Sequence, residues 1–373
     1  TLRRRLEGRG HQFVTDGDGE PILHLYEDHG ADCFNHLNGM FAIGIWDAKR
    51  TRFVLARDRI GQKPLYYAVQ DNRLVFGSEL KSLAAVEGVC QEIDPGAIDE
   101  FLTYQYVPHP GTIWKGVRKL APGHMAIYEN GQLTVHRYWD FDPSVEKPID
   151  GETACERLRE LLTDSVKMRM QSDVPLGAFL SGGIDSSLIT AIANEQSSSS
   201  IRTFSIGFPV ADFDETGYAA EVAKHLGTQH QRFEVMPSGV DVIDKLVWHY
   251  DEPFGDSSAV PTWYLSELTK SEVTVALSGD GGDELFAGYN RYTWGANLER
   301  FSNQVPYPLR KMLSYLLRAP SANLWDKVLS PLSGRYLPHM IGDKIHKAAP
   351  LLVLISNLYL INISYLFYFL FAV

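Results

Sequence analysis

Apolar and polar positions change rhythm along this chain, and the change divides it in two. Up to about residue 140, short apolar runs alternate with polar turns. Residues 41–46, 52–57, 65–70 and 73–77 read as β-strands, split by turns at 47–52 and at Asp71-Asn72. Residues 20–29 (EPILHLYEDH) have helical spacing, which predicts Ile22, Leu23, Leu25 and Tyr26 on one side. Ser78 with Glu79 suits a helix start. Asp94-Pro95 reads as an N-cap followed by a first-turn proline, leading into a helix over 97–105. Asn130-Gly131, between apolar runs at 125–128 and 133–138, signals a hairpin. This half reads as helices and antiparallel strands.

A polar stretch at 142–151 (DPSVEKPIDG) reads as a linker. Beyond it the pattern alternates: helix 152–170, strand 176–180, helix 187–194, strand 203–206, helix 215–226, strand 231–235, helix 239–250, strand 273–277. Such alternation predicts a parallel sheet with helices on both faces. The fold class expected is therefore α/β and α+β in two domains. The last 23 residues, 351–373, carry no charge and are long and apolar enough for a membrane span, yet lack basic flanks on the outer side and contain Asn357 and Asn362. They read as an end out of frame with the rest, or else as a tail anchor, and are expected to stay unpacked.

Two strand ends carry the candidate chemistry. After the apolar run 174–180 come residues 181–187 (SGGIDSS), and after 273–277 come residues 278–284 (SGDGGDE). A strand, a small-residue loop and a helix start make an oxyanion nest of backbone N–H groups, reinforced by the helix dipole. Gly182 and Gly183 allow a tight turn and close backbone approach to a ligand. Ser181, Ser186 and Ser187 add hydroxyls. Asp185 would repel a phosphate directly and makes sense as a ligand of Mg²⁺, with Asp283 as its metal partner. The loop is not a Walker motif, since no Gly-Lys-Ser/Thr follows. A plain Gly/Ser turn with an N-capping Asp185 is the alternative. Open parallel sheets bind ligands at the carboxyl ends of their strands, so the two loops together predict one Mg-nucleotide site.

Composition narrows the reading. The chain has 373 residues, 45% of them hydrophobic, enough for two ordinary cores. Its formal net charge is −11, which gives no electrostatic case for nucleic acid; Arg3-Arg4-Arg5 is one short basic run. Cys33, Cys90 and Cys155 are far apart, with no C-x-x-C, and read as free thiols of a reducing compartment. No signal-peptide pattern and no internal repeat is seen, and a cytoplasmic protein is expected.

Residues 181–187 resemble the pyrophosphate loop of the N-type ATP pyrophosphatases. Together with 278–289 (SGDGGDELFAGY) they resemble the synthetase domain of glutamine-dependent asparagine synthetases. Residues 38–47 (NGMFAIGIWD), 56–67 (ARDRIGQKPLYY) and 76–83 (FGSELKSL) resemble the glutaminase domain of the same family. The resemblance runs from about residue 2 to about 348. It implies a partial N-terminal-nucleophile hydrolase sandwich (αββα) over 1–141. The 142–151 linker and a partial ATP-pyrophosphatase domain over 152–348 follow, with 349–373 left as the apolar tail. It implies ATP and Mg²⁺ as cofactors, and glutamine and aspartate as small-molecule substrates. A carboxylate is activated as its adenylate and then amidated by glutamine-derived ammonia. It admits a homodimer, and a membrane partner only if the tail is genuine.

Carried over residue by residue, the resemblance implies nucleotide contacts at Phe179, Leu180, Ser278, Gly279 and the backbone of Ile206. It implies a catalytic role beside the adenylate for Asp280, where the family often has Glu, and capture of the glutamine α-amine by Asp18, which also suits a helix N-cap. The family's nucleophilic N-terminal cysteine is not matched by Thr1 or by any of the three cysteines, so glutaminase activity is not expected of this stretch. Residues 251–265 hold no arginine to bind a second carboxylate. Another acceptor, such as a cell-surface sugar acid, is the alternative substrate, and a catalytically dead nucleotide-binding protein or a membrane-tethered interaction protein the alternative class. His225 and His230 read as structural.

Overall fold

The computed structural model describes residues 2–142, 144, 148–208, 214–236, 239–329 and 341–354. The chain divides into two compact units, Thr1–Pro148 with Val242–Asp256, and Ile149–Asp241 with Ser257–Val373.

Unit 1 is built of four layers. Its elements are α1 (Leu2–Glu7), α2 (Gly19–His29), a 3₁₀ turn (Gly30–His36), β1 (Ala42–Asp47), β2 (Arg52–Arg57), β3 (Tyr66–Gln70), β4 (Arg73–Gly77), α3 (Leu80–Ala84), α4 (Pro95–Tyr104), β5 (Val117–Lys119), β6 (His124–Glu129) and β7 (Gln132–Arg137). One antiparallel sheet runs β1-β2-β6-β7, the other β4-β3-β5. Leu55, Leu65, Tyr67, Leu120 and Ala126 fill the space between them. Leu6, Leu25 and Phe34 bind α1, α2 and the 3₁₀ turn to Ile45 and Val54 on the first sheet. Leu80, Leu83 and Ala97 bind α3 and α4 to Ala68 and Val117 on the second. The layering is thus helix, sheet, sheet, helix, as expected. The two-residue hairpin turns Asp71-Asn72 and Asn130-Gly131 have φ > 0 at both residues, the geometry that matches strand twist. Leu23 departs from its expected side. It is exposed, because it lies 100° around the helix from Ile22, while Leu25 and Tyr26 are buried.

Asp58 anchors the turn after β2. It is fully buried and accepts from the backbone N–H of Phe41 (3.2 Å), Gln62 (2.9 Å) and Lys63 (2.9 Å). Residues 242–256 also belong to this unit. Asp251 accepts from Leu80 N (2.8 Å) and pairs with Lys81 Nζ (2.9 Å); Glu252 accepts from Ile113 N (2.8 Å) and pairs with Lys119 Nζ (2.6 Å).

Unit 2 begins with α5 (Gly151–Arg169), whose N-cap Asp150 accepts from Thr153 N at 3.0 Å. β8 (Leu176–Phe179), α6 (Ile184–Gln196), β9 (Arg202–Gly207), α7 (Thr216–Leu226) and β10 (Gln229–Glu234) follow. Next come α8 (Gly239–Tyr250), which runs on into unit 1, then α9 (Ala259–Thr269), β11 (Val275–Leu277), α10 (Gly282–Phe286), α11 (Asn290–Gln304), α12 (Tyr307–Arg318), α13 (Ala322–Leu329), α14 (Ile341–Ala348) and α15 (Leu351–Leu354). The sheet is parallel throughout, in the order β10-β9-β8-β11. Val166 of α5, with Ile192 and Ala193 of α6, packs on Ala178 and Leu277 of the strands. The chain winds outward from β8 to β10, then returns to lay β11 on the other side of β8. That reversal makes the β8/β11 edge the switch point of the sheet.

The start of the apolar terminal segment is packed, against expectation. Leu351 and Leu352 are buried, and the guanidinium of buried Arg310 donates to Leu352 O (3.0 Å) and Val305 O (3.1 Å). Residues 355–373 lie outside the described residues. Among the described residues, no helix is long and apolar enough to cross a membrane.

Candidate nucleotide site

β8 ends at Phe179, and buried Leu180 carries the chain off the sheet, its N–H donating to Phe204 O (2.9 Å) on β9. Ser181 and Gly182 turn the backbone. Gly182 has φ +85°, and a Cβ there would lie 2.6 Å from Tyr218 Cβ and 2.7 Å from Ala219 N on α7. Only glycine fits a left-handed position pressed against backbone. α6 starts at Ile184, three residues before the expected 187, with Gly183 rather than Asp185 at its N-cap. Asp185 and Ser186 therefore sit on the first turn of the helix, where backbone N–H groups lack intrahelical partners, and Ser187 N makes the first helical bond, to Gly183 O (3.0 Å).

The hydroxyls divide by role. Those of Ser181 and Ser186 hydrogen-bond each other (2.9 Å). Ser186 Oγ also accepts from Ser181 N (3.3 Å), and Ser181 Oγ from Gly183 N (3.2 Å). These two serines hold the loop's shape and so are not free donors, as the sequence suggested. Ser187 Oγ and Thr190 Oγ1 are buried with no hydrogen-bond partner.

The second loop leaves β11 at Leu277. Ser278 Oγ donates to Asp280 Oδ2 (2.9 Å) and accepts from Asp280 N (3.4 Å), fixing that carboxylate over the turn. Gly281, at φ +91°, is the N-cap of α10. A Cβ at Gly279 would lie 2.7 Å from Ser186 N and 3.0 Å from Asp185 Cβ; one at Gly282 would lie 2.6 Å from Asp185 Oδ2. The two strand-end loops are thus in contact, with Asp185 held between Gly279 and Gly282, and Asp283 next along α10. This close approach of two glycines was not read from sequence, although the Ser-Gly spacing was its signal.

Among the described residues, Asp185, Asp280, Asp283 and Glu284 make no ion pair, and the one side-chain donor from outside the loop is Tyr289 Oη, to Glu284 Oε1 (2.7 Å). Carboxylates offer hard oxygen donors of the kind that suit Mg²⁺; Asp185 and Asp283 are the residues that could hold it, beside the first turn of α6. Ile206, half-buried on β9, pairs in register with Phe233. His230 is a strand residue, bonded to Thr203 Oγ1 (3.0 Å) and Ser205 Oγ (3.2 Å), and burial holds it below the ordinary imidazole pKa.

In unit 1, Asp18 stands at the N-cap position of α2 but makes no capping bond. The loop is held instead by Glu20, which accepts from Val14 N (2.8 Å), Thr15 N (2.7 Å) and Thr15 Oγ1 (2.7 Å). Those bonds pull the Glu20 carboxyl down to about 2. The exposed Asp18 carboxylate makes no hydrogen bond or ion pair among the described residues.

The chain thus joins a two-sheet unit with outer helices to a parallel α/β unit whose strand-end loops meet. The chain belongs to the asparagine synthase family, whose model matches residues 157–367; a glutamine amidotransferase domain matches residues 1–139. It is 37% identical over 345 residues to asparagine synthetase [glutamine-hydrolyzing] 1 of Bacillus subtilis, covering 90% of this chain and 54% of that one. It is 40% identical over 307 residues to putative asparagine synthetase [glutamine-hydrolyzing] 2 of Methanocaldococcus jannaschii, covering 81% and 59%. The amidase chyE of Penicillium rubens is 31% identical over 301 residues, covering 75% and 44%. The chain spans about half the length of the curated relatives it matches.

Proposed function

We propose that this protein takes part in the ATP-dependent amidation of a carboxylate through an acyl-adenylate, with aspartate as acceptor and glutamine as the nitrogen source. The observation that supports this most is the closure of Gly279 and Gly282 onto Asp185 at the β8/β11 switch point. A carboxylate cannot expel oxide at neutral pH. Attack of its oxygen on the α-phosphorus of ATP, with loss of pyrophosphate, gives it a phosphate leaving group; ammonia then adds to the acyl carbon and AMP departs. The demanding moment is departure of pyrophosphate, whose growing charge needs fixed donors. The backbone N–H groups of Gly182, Ile184, Asp185 and Ser186 and the unpaired Ser187 hydroxyl would supply them. Mg²⁺, held by Asp185 and Asp283, would neutralise phosphate charge. Phe179, Leu180, Ile206, Ser278 and Gly279 line the nucleotide, and Asp280, fixed by Ser278, stands beside the adenylate. Asp18 holds the α-amine of glutamine in unit 1.

The test is calorimetric titration of ATP into the chain, with and without Mg²⁺, for wild type and Asp185→Asn. We expect Mg²⁺-dependent binding in wild type and at least a tenfold loss in the variant. Equal Mg²⁺-dependent affinity in the two proteins overturns the assignment. AMP release with a panel of carboxylates in the presence of ammonia then identifies the acceptor.

A further inference from the structure

We propose that His11, His24 and Glu27 form a binding site for a divalent transition-metal ion of the zinc class, on the outer face of unit 1. One donor atom from each lies within 4.8 Å of the others. Glu27 Oε2 is 2.8 Å from His24 Nδ1 and 3.6 Å from His11 Nδ1. Ligands at about 2.1 Å from a tetrahedral ion stand about 3.4 Å apart, so the observed separations bracket the need. The two imidazole rings face each other at 4.5 Å between centroids. Two imidazole nitrogens and one carboxylate oxygen are a borderline-soft donor set, which favours zinc and its neighbours over Mg²⁺ or Ca²⁺.

The surroundings carry the case further. Ligating imidazoles ordinarily direct their second nitrogen at a carboxylate. Here each ring has one of its own. His11 Nε2 bonds Asp28 Oδ1 at 2.9 Å, and Asp28 is itself held by Arg9 at 3.0 Å. His24 Nε2 faces Glu20 Oε1 at 3.9 Å and is buried with no hydrogen-bond partner. A metal on Nδ1 places the proton of neutral His24 on Nε2, toward the ionised Glu20. The site joins His11 to His24 of α2, six residues beyond Asp18, so its occupancy stiffens the stretch between them, which carries that residue.

Titration of zinc chloride into the metal-stripped chain should show one saturable equivalent. His24→Gln should weaken it at least tenfold. Glu27→Gln, at a largely exposed side chain that the fold does not need, should do likewise, while His136→Gln on β7 should leave it unchanged. Cobalt(II) in place of zinc should give visible d–d bands without thiolate charge transfer. Absence of a saturable equivalent, indifference to both variants, or a thiolate band each overturns the proposal; the first two leave the cluster as histidine–carboxylate pairing alone.

Discussion

Gly182→Ala tests the geometry of the first loop at its tightest point. The residue has φ +85°, and an L side chain in the left-handed region costs about 1–2 kcal/mol. The added methyl would also lie 2.6–2.7 Å from Tyr218 Cβ, Tyr218 C and Ala219 N. Two of those three atoms are backbone, so no rotamer change relieves the clash. Ordinary contact needs a shift of roughly 0.7 Å between the loop and α7, and overpacking of this kind costs about 1–3 kcal/mol. The sum, about 2–5 kcal/mol, corresponds to roughly 5–15 °C in melting temperature for a unit of this size. ATP affinity should fall at least tenfold, because the displaced amides are those that would meet phosphate. Gly217→Ala is the control. It lies one residue from the clash, on the first turn of α7, with nothing within 4 Å of its Cβ position; it should be neutral or stabilising by up to about 1 kcal/mol. Differential scanning calorimetry and ATP titration read both variants. If Gly182→Ala melts within about 2 °C of wild type and binds ATP equally, the loop is not the rigid cradle described.

Asp58→Ala should destabilise unit 1 by about 3 kcal/mol or more, since it removes a buried carboxylate that accepts from three N–H groups; chemical denaturation followed by intrinsic fluorescence reads the loss, and a change under about 1 kcal/mol contradicts it. Glu20 has a folded pKa of about 2 against 4.5 unfolded, so its hold on the 13–20 loop is complete above pH 4.5 and is lost as pH falls through about 2. Protection of the Val14 and Thr15 amides, taken relative to their intrinsic exchange rates, should fall over that window in wild type, and Glu20→Gln should remove the dependence. His230 is held below its unfolded 6.5, so its neutral form stabilises unit 2 above that pH and the contribution declines as pH drops below it. The urea midpoint of unit 2 should therefore decline more steeply with acid in wild type than in His230→Gln, and parallel declines would refute the assignment.

The features legible in the sequence were those set by local chemistry. Ser-Gly loops after apolar runs located both strand ends, and Asn130-Gly131 fixed its hairpin because few residues accept two positive φ values. The boundaries shifted where a small residue could serve as cap. Asp185 has the ordinary preference for an N-cap, but Gly183 takes that place, and the aspartate moves onto the first turn. What sequence order does not encode is which strands become neighbours. The placement of β11 beside β8, which unites the two loops, comes from packing of α5 and α6 across Ala178 and Leu277. Residues 242–256 were equally hidden. Their place in unit 1 rests on Lys81–Asp251 and Lys119–Glu252 pairs between residues more than 100 positions apart, which no short-range pattern announces. The burial of Leu351 and Leu352 depends on Arg310, a cation that composition alone would place on the surface.

The treatment of charge separates the nucleotide loops from the rest of the molecule. Several acidic side chains elsewhere are drawn into pairs: Asp47 with Arg52, Asp28 with Arg9, Asp214 with Arg232, Glu272 with Arg202. At the β8/β11 edge, four carboxylates stand on touching loops, with no ion pair among the described residues. Carboxylates drawn together repel, and a cation between them relieves the repulsion. A fold that neutralises acids in so many other places has the means to do so here, and two glycines have been placed so that Asp185 can come closer still. The arrangement is coherent when a cation and phosphate oxygens complete it, and it is costly otherwise. That is why Asp185→Asn should have opposite effects on its two readouts, weakening Mg²⁺-dependent ATP binding while leaving the metal-free chain as stable as wild type or more so. A variant that lost stability along with affinity would show that Asp185 is a structural partner of the glycine loop and not a ligand held ready for metal.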